Sequence, residues 1–582
     1  MTAPLRIDSL NTHTTPSPKT PALIVLAAVV VGIALGTFEI ANTSVGWHLA
    51  SGRWIIEHQD FLRTDPFSFT SGGAPWIDHE WLFQVGIALV DAIGGGTALV
   101  IFRAVVVTVL MLLLLAIGAR SGLSPAAALL LAAVCVAGAR PRFFLRPELV
   151  TLVVVPAVVW LFLRRREFSS PAWLAAIGGL MVIGANAHGA TLVVPLLFGG
   201  ILGAETAQMA ITREWSMRDL LTGIAGVSTA TLALMINPYG WHLYTVPFHL
   251  ARLVKMPHIP NPEWISPSPA EAPALYLAIG GAVVVLALRE RRAARWILLA
   301  MAAALALQHI RSIGLFFVLL PLAVAPALAR FRAFAPSADT AVQRMGRADV
   351  LAATAVVVLA VSLAIAPWPR FGLSFADDYF PSAACEFLDA EGLPGSQLYN
   401  DVRFGGYLIN RYQPTRQVFQ DDRNEIHEPL LREIWQILGS SDVPAWSGLL
   451  ERWGIDTALV RYHPPIRVTS PAGEAQGNRG FSALWFPKTE WALVYWDDVA
   501  MVFVRRHGAP PGLLSHHEYR VIQPDDLAYL ERRLVDDPGL LDRAIAESLR
   551  ALKANPQSDR ARYIATALGI RSAESAGSAT VP

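Results

Sequence analysis

Eleven apolar segments, most of them close to the length needed to cross a membrane, recur through the first two thirds of this 582-residue chain. The hydrocarbon core of a bilayer takes about 20 residues of α-helix. We place the segments at residues 22–40, 100–118, 124–139, 148–163, 172–186, 190–204, 220–236, 273–288, 296–310, 312–328 and 350–366. With 53% hydrophobic and 16% charged residues and a mean hydropathy of +0.42, the chain is too apolar for a soluble globule. The sequence therefore predicts a polytopic α-helical membrane protein.

The net charge and the cysteines argue against two classes of function. A formal net charge of +1 gives no basic field, so we expect no nucleic-acid partner. Cys135 lies in an apolar segment and Cys385 in a distant polar region. Two such cysteines form neither a disulfide framework nor a metal-binding motif, and they argue against redox chemistry.

Residues 79–96, HEWLFQVGIALVDAIGGG, are apolar but are left out of the eleven spans. The segment is short, carries Asp91 and ends in three glycines, so we interpret it as a helix lying in the membrane interface. If it does not span, the basic clusters all fall on one side, which the positive-inside rule makes the cytoplasm. These clusters are Arg120, residues 164–166, residues 289–295 and residues 330–347.

Composition also divides the chain into domains. Residues 1–20 predict a disordered cytoplasmic tail, and residues 21–366 a membrane domain with an external loop at 41–99. The apolar run that begins at residue 21 has no clear cleavage site, so we interpret it as a retained helix. Residues 367–524 predict an external α/β domain. Residues 525–582 predict a helical tail with a disordered end.

Five stretches of the external domain have the composition of short strands separated by turns. They are YNDVRFGGYLINRY, RQVFQDD, DTALVRY, WALVYWDD and VAMVFVRR.

The same topology places the polar clusters of the membrane domain together on the outer side. They lie in the opening loop 41–80 and in the segments 140–148, 186–189, 237–267 and 308–312. Polar groups at several helix ends facing one compartment predict a shared cavity.

The opening loop supplies the candidates for acid–base chemistry: Asp65, Asp78 and Glu80. A neighbouring carboxylate or a buried position moves a carboxyl pKa toward neutrality, as a general base requires. Asp78, His79 and Glu80 are consecutive, so they cannot all face one cavity, and the alternative is that they cap the interfacial helix. For Asp65, which precedes Pro66, the alternative is a structural role in a turn.

Four arginines lie at outer helix ends, where positive-inside statistics disfavour them: Arg140, Arg142, Arg146 and Arg311. The guanidinium fork matches phosphate oxygens, so phosphate binding is one interpretation. Pairing with Glu148 and with lipid headgroups is the other.

The remaining candidates are polar and aromatic groups suited to a sugar or a headgroup. Asn186 and His188 stand in NAHG, although a lone histidine is more often a packing group than a catalyst. Tyr239 and Glu263 lie in an aromatic loop that also contains His249 and His258. The histidines show no HExxH spacing, so the sequence predicts no metal site and leaves open a divalent cation held by carboxylates.

The sequence contains no Walker A loop, no dinucleotide-binding GxGxxG after a strand and no GxSxG elbow. ATP-driven transport is therefore not expected of this chain. Coupled transport usually requires charges or broken helices at the bilayer midplane, or an inverted repeat. We find none of these features in the sequence. We keep a transporter as the last of three hypotheses, after the two that are given below.

The motifs GWHLASGRWIIEH, RTDPFSFT, PWIDHEWL, RPEL, NAHG, NPYG, EWISP and GGYLINRY/VFQDDR carry a resemblance that covers residues 22–500. Three further features support the same resemblance: a long external loop, an arginine early in the second span (Arg103) and an external C-terminal domain. The chain resembles the GT-C class of membrane glycosyltransferases, which includes protein O-mannosyltransferases and aminoarabinose transferases. More closely, it is similar to a large bacterial family of GT-C-like proteins.

The resemblance implies transfer of a sugar from polyprenyl phosphate to a glycan, lipid or protein acceptor at the outer face of the bacterial cytoplasmic membrane. It implies a first-loop carboxylate as base, for which we consider Asp78, Glu80 and Asp65, and cationic side chains on the donor phosphate. The residues we expect to contact substrate are His48, His79, Arg140, Arg142, Arg146, Asn186, His188, Tyr239, Glu263 and Arg311. Beyond the donor lipid, no cofactor is implied.

Ser44 departs from the family pattern, which has an aspartate four residues before the histidine of WHLA. Either another carboxylate acts as the base, or activity is lost. The second hypothesis is therefore a non-catalytic protein that binds or assembles lipid-linked glycans.

Overall fold

The computed structural model describes residues 21–168, 170–248, 252, 262–336, 347–365, 369–394, 397–469 and 475–569. The predicted disordered ends, together with His249 and His258, lie outside these residues. The helices of the membrane region are α1 (Ala22–Gly36), α2 (Val45–His58), α3 (Trp81–Arg120), α4 (Pro125–Ala139), α5 (Glu148–Leu163), α6 (Arg165–Phe168), α7 (Pro171–Ala187), α8 (Val193–Thr212), α9 (Met217–Ala233), α10 (Pro273–Arg289), α11 (Ala293–Gln308), α12 (Ile313–Leu328) and α13 (Arg347–Ala364).

Each of the eleven apolar segments coincides with one of these helices. Within the described ranges, five apolar helices are long enough to cross a bilayer: α3, the helix containing α4 (125–142), the helix containing α8 (189–212), the helix containing α12 (310–328), and α13. Five shorter apolar helices, α1, α5, α7, α10 and α11, have 10 to 17 residues. The helices make this a membrane protein, and the count of eleven spans stays a prediction.

Helix α3 is kinked at the glycines that end the segment 79–96. Gly94 and Gly95 have non-helical backbone angles, and Gly95 has φ of +58°, a region that glycine adopts readily. The kink separates the first part of α3 from the long apolar part that follows. A helix ending at these glycines was predicted; its position in the membrane interface remains a prediction.

Ion pairs and hydrogen bonds between loops gather at two opposite ends of the helices. At one end Arg165 pairs with Glu205, Arg166 with Asp219 and Arg330 with Glu290. At the other end, Arg142 pairs with Glu263, and Glu80 approaches His188. This grouping is what the predicted topology requires, because it brings the basic loops to one end and the polar clusters to the other.

The C-terminal region contains one four-stranded sheet and one hairpin. The strands are β1 (Gln397–Asn400), β2 (Ile455–Arg461), β3 (Ile466–Thr469), β4 (Ala475–Arg479), β5 (Trp491–Trp496) and β6 (Ala500–Arg505). The sheet order is β1-β2-β6-β5, with β1 and β2 parallel and the other pairs antiparallel, and β3 pairs with β4. The helices are α14 (Ser382–Ala390), α15 (Val402–Tyr412), α16 (Glu428–Ser440), α17 (Val443–Arg452), α18 (Phe481–Trp485), α19 (Leu513–His517), α20 (Leu527–Asp536), α21 (Leu541–Ala554) and α22 (Asp559–Ala567).

One predicted strand is a helix instead. Only the first residues of YNDVRFGGYLINRY form β1, and the rest form α15. The stretch has aromatic and β-branched residues, but its apolar side chains Phe404, Leu408 and Ile409 follow helical spacing and are buried on one face. Asp401 caps this helix by accepting a hydrogen bond from the backbone N–H of Arg403.

Helix α2 is held between the membrane domain and the C-terminal region by two glycines. A Cβ atom on Gly46 would lie 2.1 Å from the carbonyl oxygen of Gly406 in α15, and one on Gly52 would lie 2.1 Å from that of Gln84 in α3. Only glycine allows backbones to approach this closely. The opening loop is therefore packed against both parts of the protein.

Candidate functional site

A carboxylate and three imidazoles meet at the end of the helices that lies opposite the ion pairs of Arg165, Arg166 and Arg330. The Glu80 carboxylate lies 3.6 Å from His79 Nε2, 3.8 Å from His48 Nδ1 and 3.9 Å from His188 Nε2. We call His48, His79, Glu80 and His188 the Glu80 cluster. Its members come from α2, from the turn before α3 and from the end of α7, so the cluster exists only once these elements have packed together.

Local structure directs each member of the cluster inward. Glu80 occupies the N-cap position of α3, but its side chain makes no capping hydrogen bond and is 17% exposed. Thr151 and His188 Nδ1 are 2.8 Å apart, which fixes the ring of His188. A Cβ on Gly189 would come within 2.9 Å of the ring of His79, so the glycine of NAHG allows this histidine to approach.

Burial changes the titration of the cluster. The pKa of Glu80 is raised to about 8, chiefly by burial and then by the charge of Glu425, against the opposing charges of Arg311 and Arg146. Burial lowers the pKa of His48, His79 and His188. The imidazoles are consequently neutral near pH 7, while Glu80 exchanges its proton close to that pH. A carboxyl group in this state can accept or donate a proton.

Asp78 precedes Glu80 by two residues and is buried. Its side chain is 2% exposed and one of its oxygens accepts a hydrogen bond of 2.6 Å from Gln84 Nε2. Burial raises the pKa of Asp78, and Glu80 raises it further. Of the two adjacent carboxyl groups, Glu80 is therefore the one with access to a substrate.

Asp65 belongs to a different, buried network. Arg423 pairs with Asp65 at 2.9 Å and with Asp421 at 2.6 Å, and all three side chains are 0% exposed. His427 Nε2 lies 3.1 Å from Asp421 Oδ2. The carboxylate of Asp65 also accepts hydrogen bonds from the residues that follow it in the turn. This network joins the opening loop to the C-terminal region and lies apart from the Glu80 cluster.

The four arginines occupy different surroundings. Arg142 forms hydrogen bonds with Glu148, the shortest at 2.5 Å, and reaches Glu263 at 3.1 Å. Arg146 lies 2.7 Å from the same oxygen of Glu263. Burial opposes ionisation of Glu263, but Arg146 and Arg142 outweigh it and lower its pKa to about 2. Arg142 thus follows the pairing interpretation, with carboxylates on both sides.

The remaining two arginines, Arg311 and Arg140, have different partners. Arg311 stacks on the ring of Trp264 at 4.6 Å and makes no ion pair within 4 Å among the described residues. It lowers the pKa of Glu80, so its charge reaches the cluster. Arg140 donates a hydrogen bond of 3.0 Å to the carbonyl of Leu363 in α13 and lies outside the cluster.

Asn186 and Tyr239 connect helix ends and loops near the Glu80 cluster. The amide oxygen of Asn186 accepts a hydrogen bond of 2.7 Å from Trp81, and its nitrogen donates to the carbonyl of Ile236. The hydroxyl of Tyr239 donates to the carbonyl of Leu62 at 2.7 Å. Both side chains are occupied by protein partners.

The sequence analysis missed two carboxylates that the C-terminal region brings toward the cluster. Asp422 Oδ1 accepts a hydrogen bond of 2.7 Å from Trp47 Nε1, and its other oxygen accepts one from Thr43. Glu425 contributes most, after burial, to the raised pKa of Glu80. The only signal was the acidic stretch QDDRNE, which has no periodicity to indicate what it faces. Among the described residues, no group of three or more His, Cys, Asp or Glu side chains is arranged to hold a metal ion.

Comparison with known proteins identifies the fold. No protein-family model and no curated protein sequence matches the chain. The oligosaccharyltransferase of Archaeoglobus fulgidus in its apo form superposes with a TM-score of 0.52 at 11% identity, over 78% of this chain and 74% of that one. The archaeal oligosaccharyltransferase AglB from the same organism, in complex with an inhibitory peptide and a dolichol-phosphate, gives 0.51 at 10% identity, over 78% and 73%.

These solved structures are GT-C glycosyltransferases, and the chain shares their fold. The predicted GT-C-like fold is confirmed. At 10–11% identity the likeness extends to the fold and not to the chemistry.

Proposed function

We propose that the protein is a glycosyltransferase that moves a sugar from a polyprenyl-phosphate donor to an acceptor at the outer face of the bacterial cytoplasmic membrane. The observation that carries the proposal is Glu80, a largely but not fully buried carboxyl group with a pKa near 8 that lies between neutral imidazoles. A base titrating near the working pH is what proton removal from a hydroxyl requires.

In the proposed reaction Glu80 takes the proton of the acceptor hydroxyl. The acceptor oxygen then forms a bond to the anomeric carbon of the sugar. The bond between that carbon and the phosphate oxygen breaks, and its electron pair stays on the phosphate, which leaves as polyprenyl phosphate. Attack from the side opposite the phosphate inverts the anomeric configuration.

The donor phosphate would be bound on the cationic side of the cluster. Arg311 is the first candidate, because its guanidinium makes no ion pair within 4 Å among the described residues and its charge reaches Glu80. Arg146 is the second, shared with Glu263. A guanidinium fork can bind two phosphate oxygens at once.

The three imidazoles would bind the sugar hydroxyls. Neutral imidazole has one donor and one acceptor nitrogen, so it can pair with a hydroxyl in either sense. Among the described residues His48 Nδ1 is buried without a hydrogen-bond partner, and this atom faces Glu80. A substrate hydroxyl would satisfy it.

The test is transfer from undecaprenyl-phosphate sugars by the purified protein in bilayers. We expect Glu80→Gln to lower turnover by about 10²- to 10⁴-fold. Asp78→Asn should lower it less, because Asp78 is shielded. A Glu80→Gln protein as active as the wild type would contradict the role of Glu80. A wild type that turns over none of the donors would contradict the proposed function itself.

Ser44 favours a second candidate function, a non-catalytic protein that binds lipid-linked glycans. The resemblance implies an aspartate at this position, and Ser44 Oγ instead lies 3.4 Å from the side-chain amide of Asn42. In that case the wild type would bind donor lipid without turnover. The double variant with Asp78→Asn and Glu80→Gln would then keep the cellular phenotype.

A further inference from the structure

Asp422 has a fixed orientation that its chain neighbours impose. It lies in the segment between α15 and α16, and Asp421 and Arg423 on either side of it are locked in the buried network with Asp65. The backbone bends at Asp422, and the Arg423 N–H donates a hydrogen bond back to Asp421 Oδ1. The carboxylate of Asp422 is not part of that network and instead contacts Thr43 and Trp47 at the start of α2.

The carboxylate of Asp422 retains capacity for a ligand. Each of its oxygens accepts one hydrogen bond, from Thr43 or from Trp47, and a carboxylate oxygen can accept two. The side chain is partly exposed. Residues 43–47 lead directly to His48 of the Glu80 cluster, and His48 stacks against Trp47 with ring centres 3.6 Å apart.

Charge is distributed unevenly around the Glu80 cluster. Arg146 and Arg311 belong to the membrane domain, whereas Asp422 and Glu425 come from the C-terminal region. Arg146 and Arg311 lower the pKa of Glu80, while Glu425 and Asp422 raise it, so all four charges act on Glu80. The two sides of the site consequently suit different ligands: an anion on the membrane side, and hydrogen-bond donors on the C-terminal side.

We propose that Asp422 binds the acceptor of the transfer reaction by accepting a hydrogen bond from it, and that the acceptor is a hydroxyl- or amino-bearing sugar without negative charge at the bound group. The inference rests on the proposed function and adds the acceptor class to it. Asp422 positions the acceptor, and Glu80 removes its proton. An anionic acceptor is disfavoured because it would face three carboxyl groups.

The first experiment measures binding without turnover. Three probes, methyl glucoside, glucosamine and glucuronate, are added to the full-length protein in lipid nanodiscs and followed by saturation-transfer NMR. We expect the neutral and cationic sugars to bind more tightly than the anionic one. Asp422→Asn should weaken binding about tenfold or more, since a hydrogen bond to a charged group is lost. Asp377→Asn, an exposed carboxylate, is the matched control.

The second experiment separates positioning from proton transfer. With undecaprenyl-phosphate glucose as donor, Asp422→Asn should raise the KM for methyl glucoside and change kcat little, whereas Glu80→Gln should lower kcat. Trp47→Phe keeps the carboxylate but removes one of its hydrogen-bond donors, and should raise the same KM by a smaller factor.

Different results overturn the inference and the proposed function. If Asp422→Asn binds the sugars as Asp377→Asn does, or if glucuronate binds as tightly as methyl glucoside, the role of Asp422 is wrong. It is also wrong if the wild type binds none of the three sugars. Sugar binding that depends on Asp422, without turnover of any donor, would retain the acceptor site and reject the glycosyltransferase.

Discussion

Glu80 differs from the other carboxylates of the opening loop in the environment that its neighbours give it. Asp65 is neutralised by Arg423, and Asp78 is buried against Gln84. Glu80 instead contacts neutral imidazoles and keeps partial exposure. Desolvation without a close counter-ion is what raises a carboxyl pKa.

The activity should therefore depend on pH through Glu80. Because its pKa is raised to about 8, the deprotonated base gains population as pH rises through that value. We expect the transfer rate to increase up to about pH 8 and to fall about tenfold per unit below it. Glu80→Gln should lower kcat by about 10²- to 10⁴-fold and abolish this dependence. A pH–rate profile of both proteins checks this, and an unchanged profile in the variant would contradict it.

Arg423 should be among the most sensitive residues for stability. Its replacement by methionine leaves Asp65 and Asp421 buried without a counter-charge, which costs about 3–5 kcal/mol. The measurement is denaturant unfolding in detergent followed by tryptophan fluorescence. Arg432→Met is the control, because Arg432 pairs with Glu428 one helical turn away on an exposed surface and should lose about 0.5 kcal/mol or less. Equal losses in the two variants would contradict the buried network.

Individual residues were predictable from the sequence where their type and position were unusual together. His48, His79, Glu80 and His188 were all among the candidates, because they stand at outer helix ends. Asp422 was not, because its role depends on a contact with Trp47 across 375 residues of sequence. Neighbouring acidic residues look alike in a sequence, and only the fold shows that Asp421 points into a buried network and Asp422 toward α2.

At the scale of elements, α2 joins the two parts of the protein. Its Gly46 contacts α15 and its Gly52 contacts α3. The chain also forms short backbone pairings there, such as the hydrogen bond between the N–H of Val418 and the carbonyl of Phe67. The position of His48 in α2 therefore depends on how the C-terminal region packs against this helix.

Gly46→Ala should separate α2 from α15 and reduce activity. An alanine Cβ would sit 2.1 Å from the carbonyl oxygen of Gly406, so the helices must move apart. We expect faster proteolysis of the C-terminal region and lower transfer activity. Gly86→Ala, at a position with nothing within 4 Å, is the control and should behave as the wild type does. The packing described would be refuted if Gly46→Ala were as resistant and as active as Gly86→Ala.

Helices were easier to predict than strands. Each apolar segment of the membrane domain became a helix, because a long apolar run in a membrane must satisfy its backbone hydrogen bonds internally. The strands β2, β5 and β6 were predicted from their β-branched and aromatic residues. Helix α15 was missed, because Tyr407, Tyr412 and the isoleucine raise β-propensity while tertiary packing against α2 favours the helix.

For the whole molecule, the division of polar groups between two ends of the helices is the main result. The glycosyltransferase proposal needs the Glu80 cluster and the C-terminal region on the external side, and the basic loops in the cytoplasm. The sequence could predict this division from charge alone. It could not predict which loops contact each other, since charge asymmetry determines sidedness and not pairing.

Cysteine accessibility tests this orientation. In a chain with Cys135 and Cys385 replaced by serine, a membrane-impermeant maleimide should label Asp60→Cys and Asp377→Cys in spheroplasts. It should label Arg213→Cys and Arg292→Cys only after permeabilisation. All four positions are exposed, so a difference reports the side of the membrane. Labelling of Arg213→Cys in intact spheroplasts would contradict the topology.

The contact between Trp47 and Asp422 also has a consequence for the order of events during synthesis. The two residues are 375 positions apart, which a ribosome covers in roughly 20 to 75 s at 5–20 residues per second. During that interval the opening loop has already left the ribosome, but neither Asp422 nor the Arg423 network exists to hold it. A nascent chain thus has an unsupported opening loop until its final third has been translated, and quality-control proteases have that time in which to act.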